Sequence, residues 1–92
     1  MSHPIRFEPS ADVLVSHLEG EAILLHMGTK EYFRLNRVGA QVWKLLDGGS
    51  HPDGIVDQLV TTFEVSRSEA TDAVGALLQE LRNATLIREA LA

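Results

Sequence analysis

The chain has no cysteine, three prolines, 5% aromatic residues, and only eight lysines and arginines against 13 aspartates and glutamates in its 92 residues. Without cysteine there is no disulfide framework, thiolate zinc site or cysteine nucleophile. A net charge of −5 argues against general nucleic-acid affinity, which comes largely from neutralising phosphates. No apolar run approaches the roughly 20 residues that span a bilayer, so no membrane partner is expected. Met1–Pro9 carries Pro4 and Glu8 and no apolar stretch, unlike a signal peptide. The expectation is one cytoplasmic domain, which at this length buries roughly 60–65% of its unfolded surface.

What charge there is has an uneven distribution. Residues 1–44 hold five acids and five bases, while 45–92 hold eight acids and three bases, so the second half carries the whole −5. Residues 1–12, with two of the three prolines, read as a flexible arm, and 13–92 as the domain.

Val13–Leu18, Glu21–Met27 and Glu31–Leu35 read as strands, joined by Glu19-Gly20 and Gly28-Thr29-Lys30. Loops this short connect antiparallel neighbours, which makes a β-meander. The two-residue turn pairs Leu18 with Glu21 and Leu14 with Leu25. A three-residue turn pairs Leu25 with Phe33 and Ile23 with Leu35. One face then collects Leu14, Leu18, Ile23, Leu25, Met27, Phe33 and Leu35, and is expected to be the core side. The other holds Val13, Val15, His17, Ala22, Leu24, His26, Tyr32 and Arg34.

Three helices follow. Asn36 is a good N-cap for a helix over about 37–46, ended by Gly48-Gly49. Ser50-His51-Pro52-Asp53 has a capping-box pattern and opens a helix to about Phe63, with Ile55, Val56, Leu59, Val60 and Phe63 inward. Ser66-Arg67-Ser68-Glu69 is a full capping box. Behind it Ala70, Ala73, Val74, Leu77, Leu78, Leu81 and Ala84 recur at helical spacing. Leu86-Ile87 closes the core. The fold class is α+β: a three-stranded antiparallel meander followed by three helices, the last two joined by a tight turn as in a helix-turn-helix.

Chemistry is scarce. His17 and His26 share a face but stand roughly 13 Å apart along the strands, too far to share a metal held at about 2 Å from each ligand. There is no nucleophile elbow and no glycine-rich loop with a phosphate-binding lysine. The chain is read as a non-enzyme with no metal and no cofactor.

Binding surface is the remaining resource. The third strand forms a sheet edge beside the helices, with Lys30 and Arg34 on it and Arg37 just after. That basic cluster either protects the edge or docks an acidic extended peptide as a fourth strand. The third helix is poor for the major groove, since residues 66–84 carry Arg67 and Arg82 against Glu69, Asp72 and Glu80. A winged-helix DNA-binding regulator is therefore the alternative reading. A dimerisation module resting on Val15, Leu24 and Tyr32 is a third, with a homodimer as the partner.

The runs Gly20-Glu21-Ala22-Ile23-Leu24-Leu25, Tyr32-Phe33-Arg34-Leu35-Asn36 and Val38-Gly39-Ala40-Gln41-Val42-Trp43-Lys44-Leu45-Leu46 resemble the PqqD-like family. So do Ile55…Leu59, Phe63-Glu64-Val65, and Leu77-Leu78-Gln79-Glu80-Leu81 ending in Leu86-Ile87. The resemblance covers about residues 12–88, and its most specific part is the Leu-Asn-x-x-Gly-Ala-x-Val-Trp segment after a strand. It implies a RiPP recognition element, a small winged helix-turn-helix domain. Such a domain binds the leader of a ribosomally made precursor peptide and presents it to a modifying enzyme.

The resemblance implies that the leader adds to the third strand and touches the third helix. The site residues would be Lys30, Glu31, Tyr32, Phe33, Arg34 and Leu35 on the strand, with Arg67, Ala70, Ala73, Val74 and Leu77 on the helix. The turn Leu24-Leu25-His26-Met27-Gly28, and Leu46-Asp47-Gly48 with no cysteine before it, depart from the members devoted to pyrroloquinoline quinone. The departure favours a standalone element serving a lasso peptide system with a leader peptidase, or a peptide modified by a radical SAM enzyme.

Overall fold

Glu19 and Gly20 both have positive φ, 52° and 85°, the requirement of a type I′ hairpin whose twist matches its strands. The turn closes β2 (Val13–Leu18) onto β3 (Glu21–His26), with Leu18 opposite Glu21 and Leu14 opposite Leu25. The chain enters through β1 (Ile5–Pro9) and continues through β4 (Tyr32–Leu35), α1 (Arg37–Asp47), α2 (Pro52–Phe63), α3 (Arg67–Asn83) and β5 (Ile87–Leu91). The computed structural model describes residues 5–91. No helix among them is long and apolar enough to cross a membrane.

The meander has the order β2-β3-β4, and β1 pairs antiparallel with β5 in a separate two-stranded sheet. That second sheet is not evident from the sequence. Ile5–Pro9 falls in the stretch expected to be a flexible arm, yet it lies along Ile87–Leu91, with Glu8 accepting a 2.7 Å bond from Arg88 Nε. Residues 1–4 of the expected arm lie outside the described residues.

The β3–β4 register differs from expectation by one residue. His26 Nδ1 accepts the amide protons of Gly28 and Thr29, each at 3.1 Å, and the His26 carbonyl accepts that of Lys30 at 2.7 Å. The loop therefore takes four residues, Met27–Lys30, and Met27 leaves the β4 ladder. Leu24 now stands opposite Phe33, and Ala22 opposite Leu35. A one-residue slip turns every side chain of a strand to the other face.

The expected core face is thereby inverted for β2 and β3. Ala22 and Leu24 are fully buried, whereas Leu14 and Leu18 are 56% and 63% exposed. Leu35 is buried, and Phe33 packs on the core from the same side.

The helices follow their caps. The Asn36 side chain accepts from Gly39 N–H at 2.9 Å and starts α1. Ser66 and Glu69 form the reciprocal capping box of α3, which stabilises a helix by about 1 kcal/mol. The box expected at the start of α2 does not form: His51 is the N-cap without a side-chain cap bond, and Pro52 begins the helix. Pro needs no amide partner at that position. Trp43, Leu46, Ile55, Leu59, Leu81 and Leu86 fill the centre of the core, joined by Ala70, Val74 and Ile87.

Candidate functional site

Among the described residues β4 is an edge strand, hydrogen-bonded only to β3. The His26 amide donates to the Glu31 carbonyl, so antiparallel alternation makes Leu24–Phe33 and Ala22–Leu35 the other hydrogen-bonded pairs. The backbone N–H and C=O groups of Tyr32 and Arg34 therefore point away from β3, along the open edge. This is an unfilled half-ladder.

Beside that edge runs a groove of about 230 Å³, lined by Arg34 and Leu35 of β4, Asn36, Val38 and Gly39 at the start of α1, and Ala73 and Leu77 of α3. A second depression of about 250 Å³ is lined by Val38, Leu59, Phe63, Val65, Glu69, Ala70 and Ala73. Val38 and Ala73 belong to both, so the two form one apolar furrow along α3.

The floor comes from the strand-to-helix junction. Leu35 enters the core, Asn36 caps α1, and Gly39 lies so close that an added Cβ would stand 3.2 Å from Leu35 Cβ. A side chain at 39 would push into that packing and partly fill the groove. The sequence pattern Leu35-Asn36-x-x-Gly39-Ala40 is thus the chemistry of a tight turn into a helix.

Four of the expected site residues, Arg34, Leu35, Ala73 and Leu77, meet at this groove. Tyr32 is 72% exposed and shares the outer sheet face with Arg34, while Phe33 is turned toward the helices. Lys30 and Glu31 belong to the turn and the strand entry, and Lys30 has φ 66°. Ala70 borders the second depression with little surface of its own, and Val74 is buried in the core, presenting nothing to a ligand. Arg67 is ion-paired with Asp57 of α2.

The basic cluster is dispersed. Arg34 Nη2 lies 3.2 Å from Glu21 Oε1, Arg37 packs over Gly20, and Lys30 sits in the loop before β4. Arg34 is the one basic residue among those lining the groove, its guanidinium held by Glu21 on the outer sheet face, and Glu69 puts a negative charge at the other end of the furrow.

Sequence reasoning overlooked Asn36, Val38, Gly39, Phe63 and Val65 as groove residues. Asn36 and Gly39 carry a signal in the capping motif, Phe63 read as an inward core position, and Val38 and Val65 were singled out only within the runs that carry the resemblance. His17 lies opposite Ala22 and His26 opposite Val13, four residues apart along the ladder. Among the described residues no three metal-ligating side chains come together.

The family described as coenzyme PQQ synthesis protein D matches residues 21–87, well over half of the chain. No curated protein matches. A solved structure of TbiB1 in complex with the TbiA(beta) leader peptide superposes with a TM-score of 0.83 at 33% identity, covering 88% of this chain and 94% of that one. A lasso peptide synthetase B1 complexed with the leader peptide gives a TM-score of 0.82 at 24% identity, over 90% of this chain and 98% of that one. The second likeness is one of fold.

Proposed function

This chain belongs to the PqqD family, and from that premise we propose that it is a non-catalytic recognition element for the leader segment of a ribosomally synthesised precursor peptide. The leader adds as a strand along β4, with alternate side chains entering the furrow against α3. The chain then delivers it to a modifying enzyme, a leader peptidase or a radical SAM enzyme, which carries the chemistry. The observation that carries this reading is the open backbone edge at Tyr32 and Arg34 beside an apolar groove. Backbone bonds supply affinity, and pockets for alternate side chains supply specificity. The TbiB1 complex, at 33% identity, supports the ligand class.

Arg34 favours a leader with an acidic residue over the groove wall. A fluorescein-labelled synthetic TbiA(beta) leader, the peptide bound by the 33%-identical TbiB1, tests the reading by anisotropy titration. Arg34→Glu is expected to weaken binding about tenfold, the loss of a charge-assisted bond worth roughly 1.5 kcal/mol. Equal affinities for wild type and variant remove Arg34 from the site.

A further inference from the structure

Among the described residues the sheet has a second open edge, at β2, and its chemistry differs from that of β4. β2 reads Val-Leu-Val-Ser-His-Leu, the one strand of the five described that contains no Asp, Glu, Lys or Arg. It has no proline, and its register with β3 runs through six consecutive pairs without a bulge. Edge strands are ordinarily protected by one of these devices. β2 has none of them. From Leu14 to Leu18 every residue is exposed, including those on the core-side face, because α1 packs over β3 and β4. A partner strand can therefore approach without meeting the helices.

We propose that β2 pairs antiparallel with β2 of a second copy of this chain, forming a two-fold homodimer with a continuous six-stranded sheet, β4-β3-β2-β2-β3-β4. The ladder fixes the register. Met27 N–H donates to the Asp12 carbonyl at 2.7 Å, so Leu14, Ser16 and Leu18 turn their backbone groups toward β3. Val13, Val15 and His17 turn theirs outward. A two-fold axis perpendicular to the sheet at Ser16 lets Val15 and His17 exchange backbone bonds with His17 and Val15 of the second copy. Ser16 then faces Ser16, and Leu14 faces Leu18 twice on the outer face, giving two apolar cross-strand pairs.

Charge selects the occupant. Asp12 and Glu19 flank β2 and repel an acidic strand, whereas in the two-fold register Asp12 meets Gly20 and Glu19 meets Val13. No like charges stand opposite one another. The apolar hollow formed by Leu14, Ile23, Leu25 and Tyr32 becomes continuous across the axis. Both β4 edges stay free at the ends of the sheet, so the dimer does not depend on the peptide-binding reading. A single strand pair falls below the roughly 800 Å² per partner of a standard interface, so the dimer depends on protein concentration.

Ser16→Cys tests the register directly, since the chain has no cysteine of its own. Facing residues of a non-hydrogen-bonded pair lie about 4.5 Å apart at Cα, within disulfide range. Under mild oxidation Ser16→Cys is expected to convert largely to a disulfide-linked dimer, and His17→Cys, which faces Val15, to remain mostly monomeric. In sedimentation the wild type is expected to approach twice the monomer mass as its concentration rises to millimolar. Val15→Pro, which removes an outward N–H and none of those to β3, and Leu18→Lys should each stay monomeric with the thermal transition retained. A wild type of monomer mass throughout, or cysteines at 16 and 17 cross-linking equally, overturns the proposal.

Discussion

Ala22 stands directly opposite Leu35 on the β3–β4 ladder, and both side chains are buried. Leu35 leads straight into α1, whose Ala40, Val42, Trp43 and Leu46 are buried in the same core. The face that holds Leu35 is therefore the core face, and whatever pairs with Leu35 is drawn into it. Ala22 and Leu24 go inward for this reason, although Ile23 and Leu25 are the bulkier set.

The inversion has a thermodynamic signature. Leu24→Ala is expected to cost about 2–5 kcal/mol, as core truncations of leucine do. Ile23→Ala, on the outer face, should cost under about 1 kcal/mol. Urea denaturation of the two variants at low protein concentration measures the difference. Equal losses contradict the register.

Ser66 and Glu69 satisfy the first turn of α3 reciprocally, and α3 carries Ala73 and Leu77 to the groove. Ser66→Ala is expected to destabilise by about 1 kcal/mol. At this size that lowers the melting temperature by about 4–8 °C, as calorimetry would record. Leader affinity should be unchanged well below the transition, because Ser66 does not line the furrow.

Ala73 belongs to both halves of the furrow and is solvent-exposed. Ala73→Trp is expected to fill it and to weaken the labelled leader by about tenfold or more, at least roughly 1.4 kcal/mol. Its stability should stay within about 0.5 kcal/mol of the wild type. Anisotropy titration and a melting curve on one sample separate the two effects.

The parts governed by local chemistry were legible before the structure. Glu19-Gly20, Asn36, and the Ser66–Glu69 box each act within four residues, and each does what its side chains predict. Helical periodicity likewise marked Ala70, Val74, Leu78 and Leu81 as core. The β3–β4 loop was not legible, because its length depends on the His26 ring accepting two amide protons, a choice that no turn propensity encodes. One extra loop residue then inverted the faces of two strands.

The β1–β5 sheet was missed because its strands are nearly the whole sequence apart, and Pro4 and Pro9 suggested a loose arm. At the candidate site, Arg34, Leu35, Ala73 and Leu77, expected through resemblance and strand order, line one groove. Val38, Phe63 and Val65 carry no signal of their own, because groove walls and core share one apolar pattern.

The central claim is that a leader peptide lies as a strand on β4. Residue-resolved amide hydrogen exchange with and without saturating synthetic leader tests it most directly. The amides of Tyr32 and Arg34 point to the open edge, so both should slow by about tenfold or more when bonded, a protection of roughly 1.4 kcal/mol. Phe33, already bonded to Leu24, should change little. If the leader binds while the Tyr32 and Arg34 amides exchange at their free rates, the strand-addition account is wrong.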